Sequence, residues 1–142
     1  MKSSNYKFLI AKQYLVSGRI FHFPFLYSIR RTVYKNILDS VGKNFEIGSG
    51  VVLINNHNNK DAGIIIGNDV RIRDGVYVDY SGGIQIGNKV VFSISTKVFT
   101  HDHIVKSKNK PWHDQGIRFS KLIIGDDVWI GNIQQIPGGQ VT

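Results

Sequence analysis

The stretch Ile66-Gly67-Asn68-Asp69-Val70 recurs in related form along the chain and decides the fold. Its other copies are Ile47-Gly48-Ser49-Gly50-Val51, Ile86-Gly87-Asn88-Lys89-Val90 and Ile124-Gly125-Asp126-Asp127-Val128. Internal repetition of this kind is typical of solenoids, in which each repeat buries its apolar face against the next. The glycine after each isoleucine suits a corner where a side chain would be crowded or a positive φ is required. The sequence therefore predicts a turn of the chain at each copy.

Large apolar residues recur every six positions within and after each copy. The series are Ile66, Ile72, Val78 and Ile84; Ile86, Phe92 and Val98; Ile124, Ile130 and Ile136; and Ile47 and Leu53. This period matches neither an α-helix nor a simple alternating strand. It predicts one inward side chain on each face of a three-sided turn of chain, a coil of about 18 residues. The fold class we expect is an all-β solenoid.

The spacing of the copies predicts one long excursion from the solenoid. Successive copies are 19, 20 and 38 residues apart, so the last interval holds one coil and a further segment. That segment, residues 100–121, is polar and contains Pro111, as expected of an extended loop. We assign residues 44–142 to the repeat and residues 1–43 to a separate N-terminal segment.

The N-terminal segment is basic. Residues 1–40 carry seven Lys and Arg against Asp39 alone, a charge of +6 within a total of +8. Helical spacing predicts an apolar stripe, with Pro24 at the start and Gly42 at the stop. The stripe consists of Leu26, Ile29, Val33 and Ile37. We interpret the segment as a helical cap on the solenoid, or else as a basic helix that makes peripheral contact with a membrane. No nucleic-acid-binding fold is recognisable.

Composition excludes several classes of protein. The 142 residues fit one domain, and the absence of cysteine excludes disulfides, thiol catalysis and zinc-thiolate sites. No apolar run approaches the roughly 20 residues of a membrane-spanning helix. Without a signal-peptide pattern, we expect a cytoplasmic protein, with membrane-peripheral attachment as the alternative.

The repeats, together with Asp127-Val128-Trp129-Ile130-Gly131, resemble the hexapeptide-repeat acyltransferases over residues 45–131. The sugar O-acetyltransferases of the galactoside and maltose acetyltransferase type are the most similar members. The resemblance implies a left-handed parallel β-helix and a homotrimer that binds acetyl-CoA between subunits. It also implies a sugar or polysaccharide acceptor, as in the modification of lipopolysaccharide, capsule or exopolysaccharide. No metal is expected in this reaction.

Acetyl transfer to a sugar hydroxyl needs a base, and an imidazole is suited to that role near neutral pH. The segment Thr100-His101-Asp102-His103 lies where the chain enters the predicted loop. The resemblance places the catalytic histidine at this junction. We therefore expect His101 to be the base, with His103 as the second candidate. Two solvated loop histidines are the alternative.

The resemblance implies further site residues. Asp79 and Tyr80 are similar to a segment that contacts the acceptor sugar, although they also suit a turn. Trp129 resembles a tryptophan that lines the pantetheine arm of the coenzyme, with an outward-facing packing residue as the alternative. The lysines that could meet the coenzyme phosphates, or be solvated, are Lys108, Lys110 and Lys121.

Two other functions stay open. His57, His101, His103 and His113 could belong to a zinc-dependent carbonic anhydrase-like protein of the γ type. Alternatively, the solenoid is a non-enzymatic oligomerising scaffold. After Ile130 the sequence departs from the repeat, and Pro137-Gly138 is similar to a remnant of a later corner. We expect a disrupted corner there, missing C-terminal coils and an incomplete coenzyme wall, which could leave the chain inactive.

Overall fold

The computed structural model describes residues 6–132 and 135–142. Two helices, α1 (Tyr6–Val16) and α2 (Pro24–Lys35), flank a 3₁₀ turn at Arg19–His22 and precede the strands. No helix in this part of the chain is both long and apolar enough to cross a membrane. The strands are β1 (Ser40–Val41), β2 (Glu46–Ile47), β3 (Val52–Ile54), β4 (Ile64–Ile66), β5 (Arg71–Ile72), β6 (Tyr77–Asp79), β7 (Ile84–Ile86), β8 (Val91–Phe92), β9 (Lys97–Phe99), β10 (His101–His103), β11 (Ile117–Phe119), β12 (Leu122–Ile124), β13 (Trp129–Ile130), β14 (Gln135–Pro137) and β15 (Gly139–Val141).

The strands form three parallel sheets, and from β2 to β9 successive strands enter the three sheets in rotation. The sheet orders are β1-β4-β7-β12-β15, β13-β8-β5-β2 and β14-β9-β6-β3. Equivalent residues stack in register, with Ile66 opposite Ile86 and Ile86 opposite Ile124. Parallel sheets of this topology fit the β-helix that the six-residue period predicts.

The core lies where the period places it. Ile72, Phe92 and Ile130 stack on one sheet, and each is at most 4% exposed. Ile65, between two buried residues of β4, is 45% exposed. The predicted inward series is buried at Ile47, Leu53, Ile66, Ile72, Val78, Ile84, Ile86, Phe92, Val98, Ile124 and Ile130, while the side chain of Ile136 lies outside those described.

Crowding is the reason for the glycine at the corner. A Cβ at Gly67 would lie 2.5 Å from the carbonyl oxygen of Gly87 on the next coil. The positive φ falls two residues later, at 57° for Asp69 and 55° for Lys89. Asp tolerates this left-handed conformation better than most residues. The corner thus needs glycine for close stacking of the coils.

Polar side chains of the helices bond to the backbone of the first coil. The Gln13 amide donates to Leu53 O at 3.0 Å and accepts from Leu53 N at 2.8 Å. The Tyr27 hydroxyl accepts from Ile47 N at 3.0 Å, and the Tyr34 hydroxyl donates to Val51 O. These bonds satisfy strand groups that have no neighbouring strand on that side.

The helix prediction is correct in position, and three of the four residues of the predicted stripe are buried or half-buried. Helix α2 begins at Pro24, as expected, but the wholly buried residues on it are Arg30 and Tyr34, whereas Ile29 of the predicted stripe is 42% exposed. Arg30 donates from Nε to Val16 O at 2.9 Å and from Nη2 to Ser49 Oγ at 3.1 Å. Hydrogen bonding therefore buries a charged residue beside the apolar ones, which apolar periodicity does not predict.

Gly42 is not the helix stop that the sequence predicts. Helix α2 ends at Lys35, and Gly42 follows β1 at a corner of the parallel strands. A Cβ at Gly42 would lie 2.5 Å from Gly67 O, which is the crowding that also governs the later corners. Because β1 pairs with β4, the parallel strands begin at Ser40, before residue 44.

The excursion between β9 and β12 leaves the parallel sheets, as predicted, but it contains an antiparallel hairpin of β10 and β11. At the C-terminus, β14 pairs with β9 and β15 with β12. The strands therefore continue the rotation after Ile130. Residues 133–134 of the departing segment lie outside those described.

Candidate functional site

A buried carboxylate faces the histidine at the loop junction. The Oδ2 atom of Asp79 lies 3.4 Å from Nδ1 of His101. Asp79 is fully buried, and the His101 side chain is 12% exposed. Among the described residues, neither of these two atoms has a hydrogen-bond partner of its own. Each is therefore the natural counterpart of the other.

The turn after β6 fixes the carboxylate. Asp79 Oδ1 accepts hydrogen bonds from Ser81 N at 2.9 Å and from Ser81 Oγ at 2.6 Å. Thr100, the residue before His101, donates from Oγ1 to Asp79 O at 2.9 Å and accepts from Gly82 N at 2.7 Å. The segments that carry Asp79 and His101 are therefore held together by backbone and side-chain bonds.

His57 joins this pair from the loop between β3 and β4. Its ring centroid lies 4.3 Å from that of His101, and its backbone N–H points to Ser81 Oγ at 3.4 Å. Asn59, in the same loop, donates from Nδ2 to Ser81 O at 2.7 Å. Partial burial lowers the pKa of His57, and the neighbouring imidazole of His101 lowers it further. The neutral form of His57 is favoured.

His103 completes a cluster of three imidazoles. Its ring centroid is 5.9 Å from that of His101 and 6.1 Å from that of His57. It is exposed, and it contacts Trp112 edge-on at 5.1 Å. His113 points to Asp114 at 3.5 Å on the exposed 3₁₀ turn Trp112–Asp114. The histidine cluster is therefore formed by His57, His101 and His103.

Tyr80, next to Asp79 in the chain, is half-buried. Its side chain contacts the apolar core, and burial raises its pKa to about 12, with the carboxylates of Asp39 and Asp79 adding to the shift. The neighbouring Asp79 carboxylate lies behind His101 and has no exposed surface. Asp79 therefore offers no exposed carboxylate to an acceptor beside His101.

Trp129 lies on a different sheet from the one that leads to His101. Its ring is 74% exposed and donates from Nε1 to Ser93 Oγ at 2.8 Å. It borders an open surface cavity of about 470 Å³, whose other lining residues include Arg73 and Ile94. Of the three lysines considered for phosphate contact, Lys121 donates to Gln85 Oε1 at 3.3 Å, and all are exposed.

The geometry also brings together donors that a metal ion could use. One atom each of His57, Asp79 and His101 lies within 4.8 Å of the others. Two imidazoles and a carboxylate are ligands that zinc accepts. The same atoms can instead act as a base with its orienting carboxylate, because a buried carboxylate fixes the tautomer of the imidazole that it contacts.

Sequence reasoning named His57 only as a candidate metal ligand and assigned Asp79 to the acceptor. A signal for their proximity was present, because each of the three residues ends or closely follows a strand of one sheet. These strands are β3, β6 and β9. Equivalent corners of stacked coils bring such residues together. The register needed to see this emerges only from the strand pairing.

A scan against protein-family models finds no match, and a search of curated proteins finds no significant relative. Among solved structures, the chain is similar to the hexapeptide-repeat-containing acetyltransferase VCA0836 from Vibrio cholerae. The TM-score is 0.71 at 18% identity, over 96% of this chain and 73% of that one. The same protein from Vibrio cholerae O1 biovar eltor, complexed with acetyl-CoA, gives a TM-score of 0.65 at 18% identity, over 96% and 70% of the two chains. This similarity establishes a shared fold.

A point mutant of AntD, an N-acyltransferase from Bacillus cereus in complex with dTDP and coenzyme A, is more distant. Its TM-score is 0.42 at 17% identity, over 80% of each chain. That level of similarity carries no argument about this protein.

Proposed function

We propose that the protein is an acetyl-CoA-dependent O-acetyltransferase that modifies a sugar hydroxyl, in the cytoplasmic synthesis of a surface polysaccharide such as lipopolysaccharide, capsule or exopolysaccharide. The observation that carries the proposal is the buried Asp79 carboxylate 3.4 Å from His101 Nδ1. The fold shared with an acetyltransferase whose structure holds acetyl-CoA supports acyl transfer. The repeat phrases and their resemblance to sugar acetyltransferases support the acceptor class.

In this mechanism His101 is the general base. Asp79 holds the proton on Nδ1, which leaves Nε2 free to accept the proton of the acceptor hydroxyl. The hydroxyl oxygen attacks the thioester carbonyl, and the carbon–sulfur bond breaks as the coenzyme A thiolate leaves and takes up the proton. Asp79 also stabilises the imidazolium formed in between. Its role is to position His101, in place of the sugar contact that the sequence suggested.

The other predicted site residues take more peripheral roles in this proposal. The exposed imidazole of His103 is available to an acceptor, and the exposed ring of Trp129 is available to the pantetheine arm of the coenzyme. Because Trp129 and His101 lie on different sheets, we propose a site assembled between subunits of a homotrimer with a left-handed coil. Helices α1 and α2 would cap the first coil through their bonds to β2 and β3.

The test measures acetyl transfer from acetyl-CoA to a panel of sugars, and the released coenzyme A thiol reports the rate. His101→Ala should lower kcat by about 10²–10⁴, the usual contribution of a positioned base. Asp79→Asn should lower kcat less and change its pH profile. His103→Ala, the matched control in the same cluster, should cost distinctly less than His101→Ala. Full activity of His101→Ala would refute the assignment.

A zinc-dependent hydratase is the second candidate, favoured by the proximity of donor atoms from His57, Asp79 and His101. The chemistry of these donors suits zinc, which would supply an activated water when bound. Metal analysis and a carbon dioxide hydration assay separate the two functions. His57→Ala should abolish zinc binding and hydration if this function is correct, and should leave most acyl transfer intact if it is not. Oligomerisation without either activity would indicate a scaffold.

A further inference from the structure

The N-terminal helices expose an unusual amount of apolar surface. The side chain of Phe25 is 78% exposed and that of Leu15 is 74% exposed. Monomeric soluble proteins rarely expose large apolar groups close together, and such patches mark interaction sites. The set, called the apolar face below, consists of Phe8, Tyr14, Leu15, Ile20, Phe23 and Phe25, each at least 59% exposed.

The fold fixes this face outward. In α1, the buried Gln13 is bonded through its amide to both backbone groups of Leu53, which sets the rotation of the helix. Phe8, Lys12 and Leu15 follow the spacing that places residues on one side of a helix. The apolar residues on that side, Phe8 and Leu15, are 59% and 74% exposed, so they do not contribute to the core. Stability of the fold does not explain them.

The segment that carries the apolar face has charges of one sign. No Asp or Glu occurs before Asp39, whereas Lys12 and Arg19 lie among the apolar residues. The Lys12 ammonium sits 4.3 Å above the ring of Phe8, so cationic and apolar groups share one surface. Arg30, by contrast, is buried and unavailable to a partner. A surface of this kind complements anionic headgroups and the acyl chains beneath them.

We propose that the apolar face, with Lys12 and Arg19, binds the surface of membranes that contain anionic phospholipid. Leu15, Ile20, Phe23 and Phe25 enter the headgroup region, and the two cations pair with lipid phosphates. A second copy of the chain is a poorer occupant of this face, because a symmetric contact would oppose the same cations, and residues 1–38 contain no carboxylate to compensate. Membrane attachment and acyl transfer use separate residues.

The experiment is cosedimentation of the full chain with vesicles of phosphatidylcholine alone, or of an equal mixture of phosphatidylcholine and phosphatidylglycerol. We expect binding to the mixed vesicles and its weakening by salt, since screening reduces the attraction. The double variant Lys12→Gln/Arg19→Gln should bind about 30-fold more weakly, from about fivefold per cation. Phe23→Ser/Phe25→Ser should lower binding by at least about tenfold.

A matched variant in the strands controls for general loss of apolar surface. Ile65→Ser/Ile123→Ser removes two residues that are 45% and 40% exposed, and should bind vesicles as the unchanged protein does. Circular dichroism of each variant checks folding, and sugar acetylation in detergent-free solution tests the enzyme separately. Failure of the unchanged protein to bind mixed vesicles overturns the proposal. The proposal is also overturned if the unchanged protein does not bind vesicles and Phe23→Ser/Phe25→Ser alters its oligomeric state. That result would identify the apolar face as a subunit interface.

Discussion

The two helices and the parallel strands bury side chains for different reasons. In the strands, each inward position is apolar and stacks on an equivalent residue of the next coil, as Ile66 does on Ile86. In the helices, Gln13 and Arg30 are buried because they bond to neighbouring backbone groups. Repetition lets apolar periodicity predict the strand core. At the boundary with the helices, hydrogen bonds to backbone groups add buried polar residues, which apolar periodicity does not predict.

The inward and outward positions of the strands are tested most sharply with two adjacent residues of β4. Ile66→Asp places an unpaired carboxylate in the core and should destabilise the protein by more than about 4 kcal/mol, enough to unfold or aggregate it. Ile65→Asp makes the same change at an outward position and should cost less than about 1 kcal/mol. Urea unfolding of both variants checks this. Equal losses would show that the inward and outward positions are misassigned.

The burial of polar side chains in the helices through hydrogen bonds is tested by removing the buried charge of Arg30. Arg30→Met takes away the hydrogen bonds that the guanidinium donates to Val16 O and Ser49 Oγ, and should cost about 3 kcal/mol. Burial lowers the pKa of Arg30, while the neighbouring Tyr34 and Asp74 raise it. The guanidinium stays charged, because its ordinary pKa lies far above neutral pH. Lys35→Met on the exposed side of α2 should change stability by under about 0.5 kcal/mol. A stabilised Arg30→Met protein would mean that apolar packing governs this face too.

Close stacking at the corners predicts a smaller effect. Gly67→Ala would bring a Cβ against the Gly87 carbonyl and should cost about 2 kcal/mol, since backbone has to shift. Gly18→Ala, where the nearest atom is 4.0 Å away, should be neutral or slightly stabilising. Thermal unfolding distinguishes the two variants. Identical melting temperatures would remove the steric explanation of the repeated glycine.

The smallest effect concerns the histidine cluster, which lies outside both cores. Folding lowers the pKa of His57, so the folded chain binds fewer protons there than the unfolded chain. The stability lost through this group should therefore grow as the pH falls through about 6.5 and level off below the folded pKa. Unfolding free energies measured across this range should vary less in His57→Gln. His113→Gln, on the exposed turn, serves as control and should keep the dependence of the unchanged protein.

The site was half visible in the sequence. His101 and His103 stand out because the loop junction follows from the spacing of the repeats. The contact of Asp79 with His101 was missed, because it depends on the turn after β6, which Ser81 and Thr100 hold through hydrogen bonds. His57 was missed as a neighbour of His101, because a ring contact of 4.3 Å arises from stacking of separate coils.

By itself, the sequence determined the inward series, the corners and the position of the excursion. All three follow from the six-residue spacing of apolar residues and the spacing of the repeated copies, which every coil shares. Only the tertiary structure decided that Arg30 of α2 is buried, where Gly42 lies and how Asp79 meets His101. These features depend on bonds between segments distant along the chain, and a hydrogen-bond donor finds its acceptor by position in space. An apolar period encodes the direction in which a side chain points, but not the polar group that it meets.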